Sequence, residues 1–134
     1  MGRWQEIEHT ADLALHLWAN DLPDLFATAA RGMFTFIAAD DGAAPTRAIP
    51  VTLEALDVET LLIDWLNELL YWTEIEGLIF TAFEFERLTP THLTATAYGK
   101  PITEYGKYVK AATFHDLAVR ATPEGYETEI VFDT

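Results

Sequence analysis

An amphipathic segment at residues 57–72 constrains the fold of this chain more than any other stretch. On a helical wheel its apolar side chains share one broad face: Val58, Leu61, Leu62, Trp65, Leu66, Leu69 and Trp72. The opposite face is polar and holds Asp57, Thr60, Asp64, Asn67, Glu68 and Tyr71. Asp57 suits the N-cap position, and Gly77 suits the end of the helix. We therefore predict a core helix in which Trp65 and Leu69 are nearly fully buried.

The other segments predict strands around two helices. A second helix is expected to begin at residues 20–24, where a capping side chain, a proline and an acidic residue coincide. Alternating apolar and polar residues predict strands at 4–8, 13–18, 49–53, 83–86, 93–98, 109–120 and 126–132. The pattern is interrupted by a surface loop at 39–48, a break at 99–101 and a turn at 122–125. We predict a single α+β domain, residues 1–134, with two helices packed on a mainly antiparallel β-sheet.

The chain is strongly acidic, with 22 acidic residues against 8 basic ones and a net charge of −14. Binding nucleic acid or an anionic membrane requires a basic patch that displaces counterions, so neither partner is expected. The charge suits a cation or a basic protein partner, although solubility or a salty cell interior explains it equally well. Cysteine is absent, and the first residues do not resemble a signal peptide, so we expect a cytoplasmic protein.

Several classes of catalytic site are excluded by residue type. The chain contains neither serine nor cysteine, which removes the usual Ser-His-Asp and Cys-His nucleophile systems. The glycines are scattered and form no phosphate-binding loop. The four histidines are too far apart for a local zinc motif, and His115 lies on an apolar strand face, where a hydrogen-bonded core histidine is more common than a ligand. No catalytic residue is therefore assigned.

Carboxylates remain as candidate ligands. Asp12 lies at a corner between two predicted strands, and Asp133 is the penultimate residue. If the first and last strands are neighbours, these two side chains and the Thr134 carboxylate converge. Ligands that are all oxygen suit calcium, magnesium or manganese. From spacing alone, a turn role for Asp12 and a solvated Asp133 remain the more common alternatives.

Four motifs occur in order along almost the whole chain: HTAD at residues 9–12, DVETLLIDWLNELL at 57–70, VKAATFH at 109–115 and VFDT at 131–134. Together they make the chain resemble the archease family. The resemblance implies a small cytoplasmic protein that is not itself an enzyme. It also implies a metal site, usually calcium, at Asp12, Asp133 and Thr134.

The resemblance implies a protein partner, an RtcB-type tRNA-splicing RNA ligase, and the sequence leaves open whether there are others. Archeases promote guanylylation of that ligase and so permit multiple turnover. Two other classes stay open at this point. A metal-dependent hydrolase would cleave phosphoesters as the isolated protein, and a general chaperone or interaction module would protect unrelated proteins without a metal.

Overall fold

The structure is a computed structural model that describes residues 1–8, 13–114 and 117–134, without the side chain of Glu8. Within these residues the chain forms two helices and eight strands. The helices are α1 (Leu22–Ile37) and α2 (Val58–Glu76). The strands are β1 (Arg3–Glu8), β2 (Leu13–Ala19), β3 (Arg47–Glu54), β4 (Leu78–Leu88), β5 (His92–Pro101), β6 (Ala111–Thr113), β7 (Arg120–Thr122) and β8 (Gly125–Asp133).

The strands form two sheets rather than one. The larger sheet has the order β1-β2-β8-β6, and β7 pairs with another part of β8. The smaller sheet has the order β3-β5-β4. Every described pairing is antiparallel, and each helix contacts strands of both sheets. The predicted α+β class is confirmed.

Helix α2 has the predicted ends and the predicted buried residues. The Asp57 side chain accepts a hydrogen bond from the Thr60 amide at 2.8 Å, which caps the first turn. Gly77 ends the helix in the left-handed conformation at φ 65°, where glycine carries no Cβ penalty. Trp65 and Leu69 are fully buried.

Burial of α2 nevertheless extends beyond the predicted apolar face. Ile63 and Leu70 are also buried, although they lie outside that face. The reason is that α2 contacts β6 of the larger sheet as well as strands of the smaller one. Trp65 fixes α2 against α1, because its indole N–H donates to the Phe26 carbonyl at 3.0 Å.

The predicted twelve-residue strand at 109–120 is wrong. Among its described residues, only Ala111–Thr113 and the strand that begins at Arg120 are extended ladder segments. Both pair with β8, at different places along it. Between these two strands, backbone groups bond to side chains instead of to a neighbouring strand. The Ala118 carbonyl accepts from the Thr128 hydroxyl, and the Val119 amide donates to the Glu59 carboxylate, each at 2.8 Å. The alternating pattern alone does not show that β8 pairs with two separate short strands, β6 and β7.

The predicted break at residues 99–101 is also wrong, because β5 continues to Pro101. Lys100 is buried on this strand, and its ammonium donates to the carboxylates of Asp40 and Asp41 and to the Ala43 carbonyl. These three acceptors match the three donors of an ammonium group, so the buried charge is fully satisfied. The predicted surface loop is therefore anchored to the sheet, and it ends where β3 begins at Arg47.

Candidate functional site

The end of β8 carries two of the three predicted metal ligands. Asp133 is the last residue of β8, Thr134 follows it, and both are exposed. Leu13, the first residue of β2, pairs with Phe132. Asp12 precedes Leu13 in the sequence, but Asp12 and the rest of the HTAD motif lie outside the described residues. The prediction required the first and last strands to be neighbours, and in this respect it is wrong, because β2 lies between β1 and β8. The strand that pairs with β8 next to Asp133 is the second one, β2.

Strand β6 supports the other side of this end of β8. Ala111 pairs with Asp133, and the Lys110 amide donates to the Asp133 carbonyl at 2.8 Å. The Thr113 hydroxyl donates to the Val131 carbonyl at 3.0 Å. One edge of β8 at Asp133 is therefore hydrogen-bonded to β6. The other edge pairs with β2, where Leu13 lies opposite Phe132. The side chain of Lys110 is exposed beside it.

Helix α2 holds β6 in place through Asn67. The Asn67 side chain accepts from the Ala112 amide at 2.8 Å and donates to the Ala112 carbonyl at 3.2 Å. Sequence reasoning assigned Asn67 to a polar face and missed this role. One signal was available, because asparagine is a poor residue for a helix interior unless its amide has a partner.

Three of the four sequence motifs are thus brought together in space. The motifs of α2 and β6 are joined by the Asn67 side chain, and those of β6 and β8 by strand pairing. Leu13, which follows the HTAD motif in the sequence, pairs with Phe132 of β8. The donors available at the end of β8 are oxygens, which suit a hard cation. The described residues hold no group of three or more His, Asp or Glu side chains that could bind a metal.

The described histidines do not form a metal centre. On β2, the His16 ring stacks on Trp18 with centroids 4.4 Å apart. Its Nε2 lies 3.4 Å from the Glu127 carboxylate, whereas its Nδ1 lies 3.9 Å from Glu129. Because the two carboxylates face different ring nitrogens, the cluster cannot converge on one ion. His92 is the first residue of β5, and His115 is outside the described residues.

One carboxylate on α2 is electrostatically perturbed. Burial raises the pKa of Asp64, which the sequence assigned to the solvated face of the helix. Helix α2 contacts strands of both sheets, and these contacts cover side chains outside the predicted apolar face, Ile63 among them. The shift in the Asp64 pKa marks partial desolvation rather than a catalytic pair, since no neighbouring charge contributes to it.

Comparisons with known proteins identify the class to which this α+β chain belongs. A family model described as "Archease protein family (MTH1598/TM1083)" matches residues 4–134. "Protein archease" of Methanopyrus kandleri is 34% identical over 137 residues, covering 97% of this chain and 98% of the relative. "Protein archease" of Pyrococcus abyssi is 34% identical over 132 residues and covers 93% of each. The solution structure of Methanobacterium thermoautotrophicum protein 1598 superposes with a TM-score of 0.78 at 29% identity, covering 98% of both chains.

The chain therefore belongs to the archease family. Membership supports an auxiliary role in RNA processing. The archeases are a family of auxiliary proteins rather than catalysts. Neither of the two described helices is long and apolar enough to cross a membrane.

Proposed function

We propose that this protein is a cytoplasmic, non-enzymatic, metal-binding cofactor of an RtcB-type tRNA-splicing RNA ligase. It acts by promoting guanylylation of the ligase, which permits multiple turnover. One observation carries the proposal: the segments that hold three of the four archease motifs meet at one end of the larger sheet, where β6 and α2 support the end of β8. The buried residues of these motifs hold the exposed Asp133 and Thr134 in place, where a partner protein can reach them.

The proposed ligands for a divalent cation are Asp12, Asp133 and Thr134, with calcium the first choice and magnesium or manganese the alternatives. The pairing of Leu13 with Phe132 supports this set, because consecutive Cα atoms are only about 3.8 Å apart. Asp12 is thus one residue from the pair on β2, and Asp133 is one residue from it on β8. Carboxylate and main-chain oxygens supply the chemistry that these cations prefer.

A bound cation supplies a positive charge at this end of an otherwise acidic protein. The chain's own residues do the positioning. The Lys110 amide and Ala111 hold the Asp133 backbone, and Asn67 holds Ala112. Asp133 is thus presented from an ordered strand instead of a loose tail, so less conformational entropy is lost when it binds.

The partner is proposed to be a protein and not RNA. A net charge of −14 repels the phosphate backbone but favours association with a ligase that has a basic RNA-binding groove. The absence of serine and cysteine from the sequence supports a role without covalent catalysis of the usual kinds. We therefore expect the protein to act by raising the number of RNA molecules that each ligase molecule joins.

The test adds catalytic amounts of the protein to a cognate RtcB-type ligase and counts joined RNA per ligase molecule. Wild type is expected to raise the count above one. Asp12→Ala and Asp133→Ala should abolish the gain and weaken calcium binding in calorimetry while remaining folded. Glu84→Ala is the matched control, because Glu84 is exposed on β4 in the other sheet.

Three outcomes would contradict the proposal. Equal stimulation by wild type, Asp12→Ala and Asp133→Ala would remove the metal site from the mechanism. Phosphoester hydrolysis by the isolated protein would indicate a metal-dependent hydrolase. Protection of unrelated proteins from aggregation, without metal and without any effect on the ligase, would indicate a general chaperone.

A further inference from the structure

A groove of about 280 Å³ lies between the last turns of α2 and the segment at residues 105–109. Its lining includes Ile37 from α1, Leu70, Thr73 and Glu74 from α2, and Tyr105 and Tyr108 from the segment. The volume is below the roughly 300–1,000 Å³ of typical small-molecule sites. The groove therefore suits a side chain of a partner protein better than a free metabolite.

Exposed aromatic and apolar side chains are concentrated around this groove. Tyr105 is 65% exposed and Tyr108 is 61% exposed. On the adjacent surface of α2, Tyr71 and Ile75 are also more than half exposed. Tyr105 and Tyr108 line one groove, and two exposed aromatic side chains in one place mark an interaction surface more strongly than single exposed residues do.

The C-terminal ends of both helices lie at the groove, and the last carbonyls of α1 are already bonded to the Gly106 and Lys107 amides. Ile37 is the last residue of α1, and Glu74 lies in the final turn of α2. The C-terminal end of a helix carries a partial negative charge, and neither helix has a basic residue in its last turn. Helix α2 instead adds the exposed carboxylate of Glu74, whereas Glu76 lies 4.0 Å from the Arg47 guanidinium and does not line the groove. The region is therefore poised for a cation.

Lys107 is the basic residue in the lining of the groove. Its ammonium lies 5.9 Å from the centroid of the Phe36 ring and forms no ion pair with Glu74. Its backbone amide, together with that of Gly106, donates to the Phe36 and Ile37 carbonyls at 2.7 and 2.6 Å. These bonds fix the tyrosine-bearing segment against α1. A partner therefore meets a wall that is already ordered, which lowers the entropic cost of binding.

The groove adjoins the candidate metal site. Residues 105–109 lead directly into Lys110, whose amide donates to the Asp133 carbonyl at 2.8 Å. On α2, Asn67 and Glu74 are seven residues apart and lie on one stripe of the helix, which separates them by about 10 Å along its axis. A partner that reaches the end of β8 can therefore contact the groove as well.

We propose that this groove docks a positively charged segment of the ligase, with an arginine or lysine side chain seated between the tyrosine rings and the Glu74 carboxylate. The inference rests on the proposed function, because the occupant belongs to the ligase. An aromatic face attracts a cation, and a nearby carboxylate adds a charged hydrogen bond.

The test measures the dissociation constant of the complex between the full-length protein and the purified ligase, at low and high salt. Glu74→Lys is expected to weaken binding by about tenfold or more, since it places like charges together. Tyr108→Ala should weaken it by about fivefold or more, as loss of an aromatic anchor does. Glu84→Lys makes the same charge change on β4 and should bind like wild type. Glu74→Lys should remain as stable as wild type, because a cation suits the end of a helix.

The outcomes separate this inference from the proposed function. If the ligase binds no wild-type protein, both fail. If wild type binds and stimulates the ligase, but Glu74→Lys and Tyr108→Ala bind as tightly as Glu84→Lys, the groove is not the docking surface and the proposed function stands. If these variants change only self-association in sedimentation, the groove joins two copies of this chain, and the inference is wrong.

Discussion

Replacement of Trp65 tests how the two sheets and two helices are joined. The side chain is fully buried, and its indole N–H donates to the Phe26 carbonyl of α1 at 3.0 Å. Its ring also packs against Phe83 and Phe85 of β4, with centroids 5.6 and 5.4 Å away. One residue therefore links α2 to α1 and to the smaller sheet, so its removal should affect the whole fold.

The expected loss follows from these contacts. Trp65→Ala should lower the free energy of unfolding by about 3–5 kcal/mol, the range for a large core aromatic replaced by alanine. The lost hydrogen bond contributes about 0.5–1.5 kcal/mol of this. Trp65→Phe keeps an aromatic ring but removes the donor, so its loss should be about 1–3 kcal/mol.

Equilibrium urea denaturation followed by far-ultraviolet circular dichroism measures these losses without relying on tryptophan fluorescence. The exposed control, Glu84→Ala, should stay within about 0.5 kcal/mol of wild type. Domains of this kind have total stabilities of about 5–15 kcal/mol, so Trp65→Ala could unfold, and Trp65→Phe then gives the measurable value. If Trp65→Ala unfolded at the same urea concentration as Glu84→Ala, the burial argument would be refuted.

Two further predictions concern hydrogen bonds between distant segments. Asn67→Ala removes both bonds to Ala112 and should cost about 1–3 kcal/mol, with faster hydrogen exchange at the Ala112 amide; unchanged exchange would mean that α2 does not hold β6. For Lys100→Met, the loss of melting temperature should be greatest between the ordinary Asp and Lys pKa values of 3.8 and 10.5. Bonding to Lys100 lowers the pKa of Asp40 and Asp41, so their stabilisation is present above 3.8 and lost as pH falls through the lowered pKa. Bonding to the same carboxylates raises the pKa of Lys100, so its stabilisation is lost only as pH rises through the raised value. A loss that stayed constant from acid to alkaline pH would contradict this.

Local signals in the sequence were enough to predict the helices. The cap at Asp57, the 3.6-residue period and the stop at Gly77 all act within a few residues of one another, and the structure confirms each. The predicted strand at 109–120 failed because strand formation also needs a partner. Only the pairing with β8, which follows in sequence, decides which of its residues join the ladder.

Contacts between distant residues were the part that the sequence did not disclose. Lys100 binds Asp40 and Asp41, which lie 60 and 59 positions away, and Asn67 binds Ala112 across 45 positions. The sequence on either side of each of these residues resembles that of an ordinary surface segment. The position of Asn67 inside a helix indicates that its amide has a partner but does not identify that partner, and nothing in the local pattern distinguishes a solvated lysine from the buried Lys100.

The position of Asp133 at the end of the last strand depends on a local feature, because it follows from the alternating pattern of β8. The residues just before it, Val131 and Phe132, are buried, and Ala112 is buried beside them on β6. Their burial fixes the register of β8, and a fixed register determines which residue comes last. Asp133 itself is exposed, so its side chain contributes little to that register. A residue whose backbone is held by its neighbours, and whose carboxylate bonds to none of the described residues, can be substituted without loss of the fold. For this reason, a loss of ligase stimulation in Asp133→Ala with unchanged stability reports on binding at the end of β8.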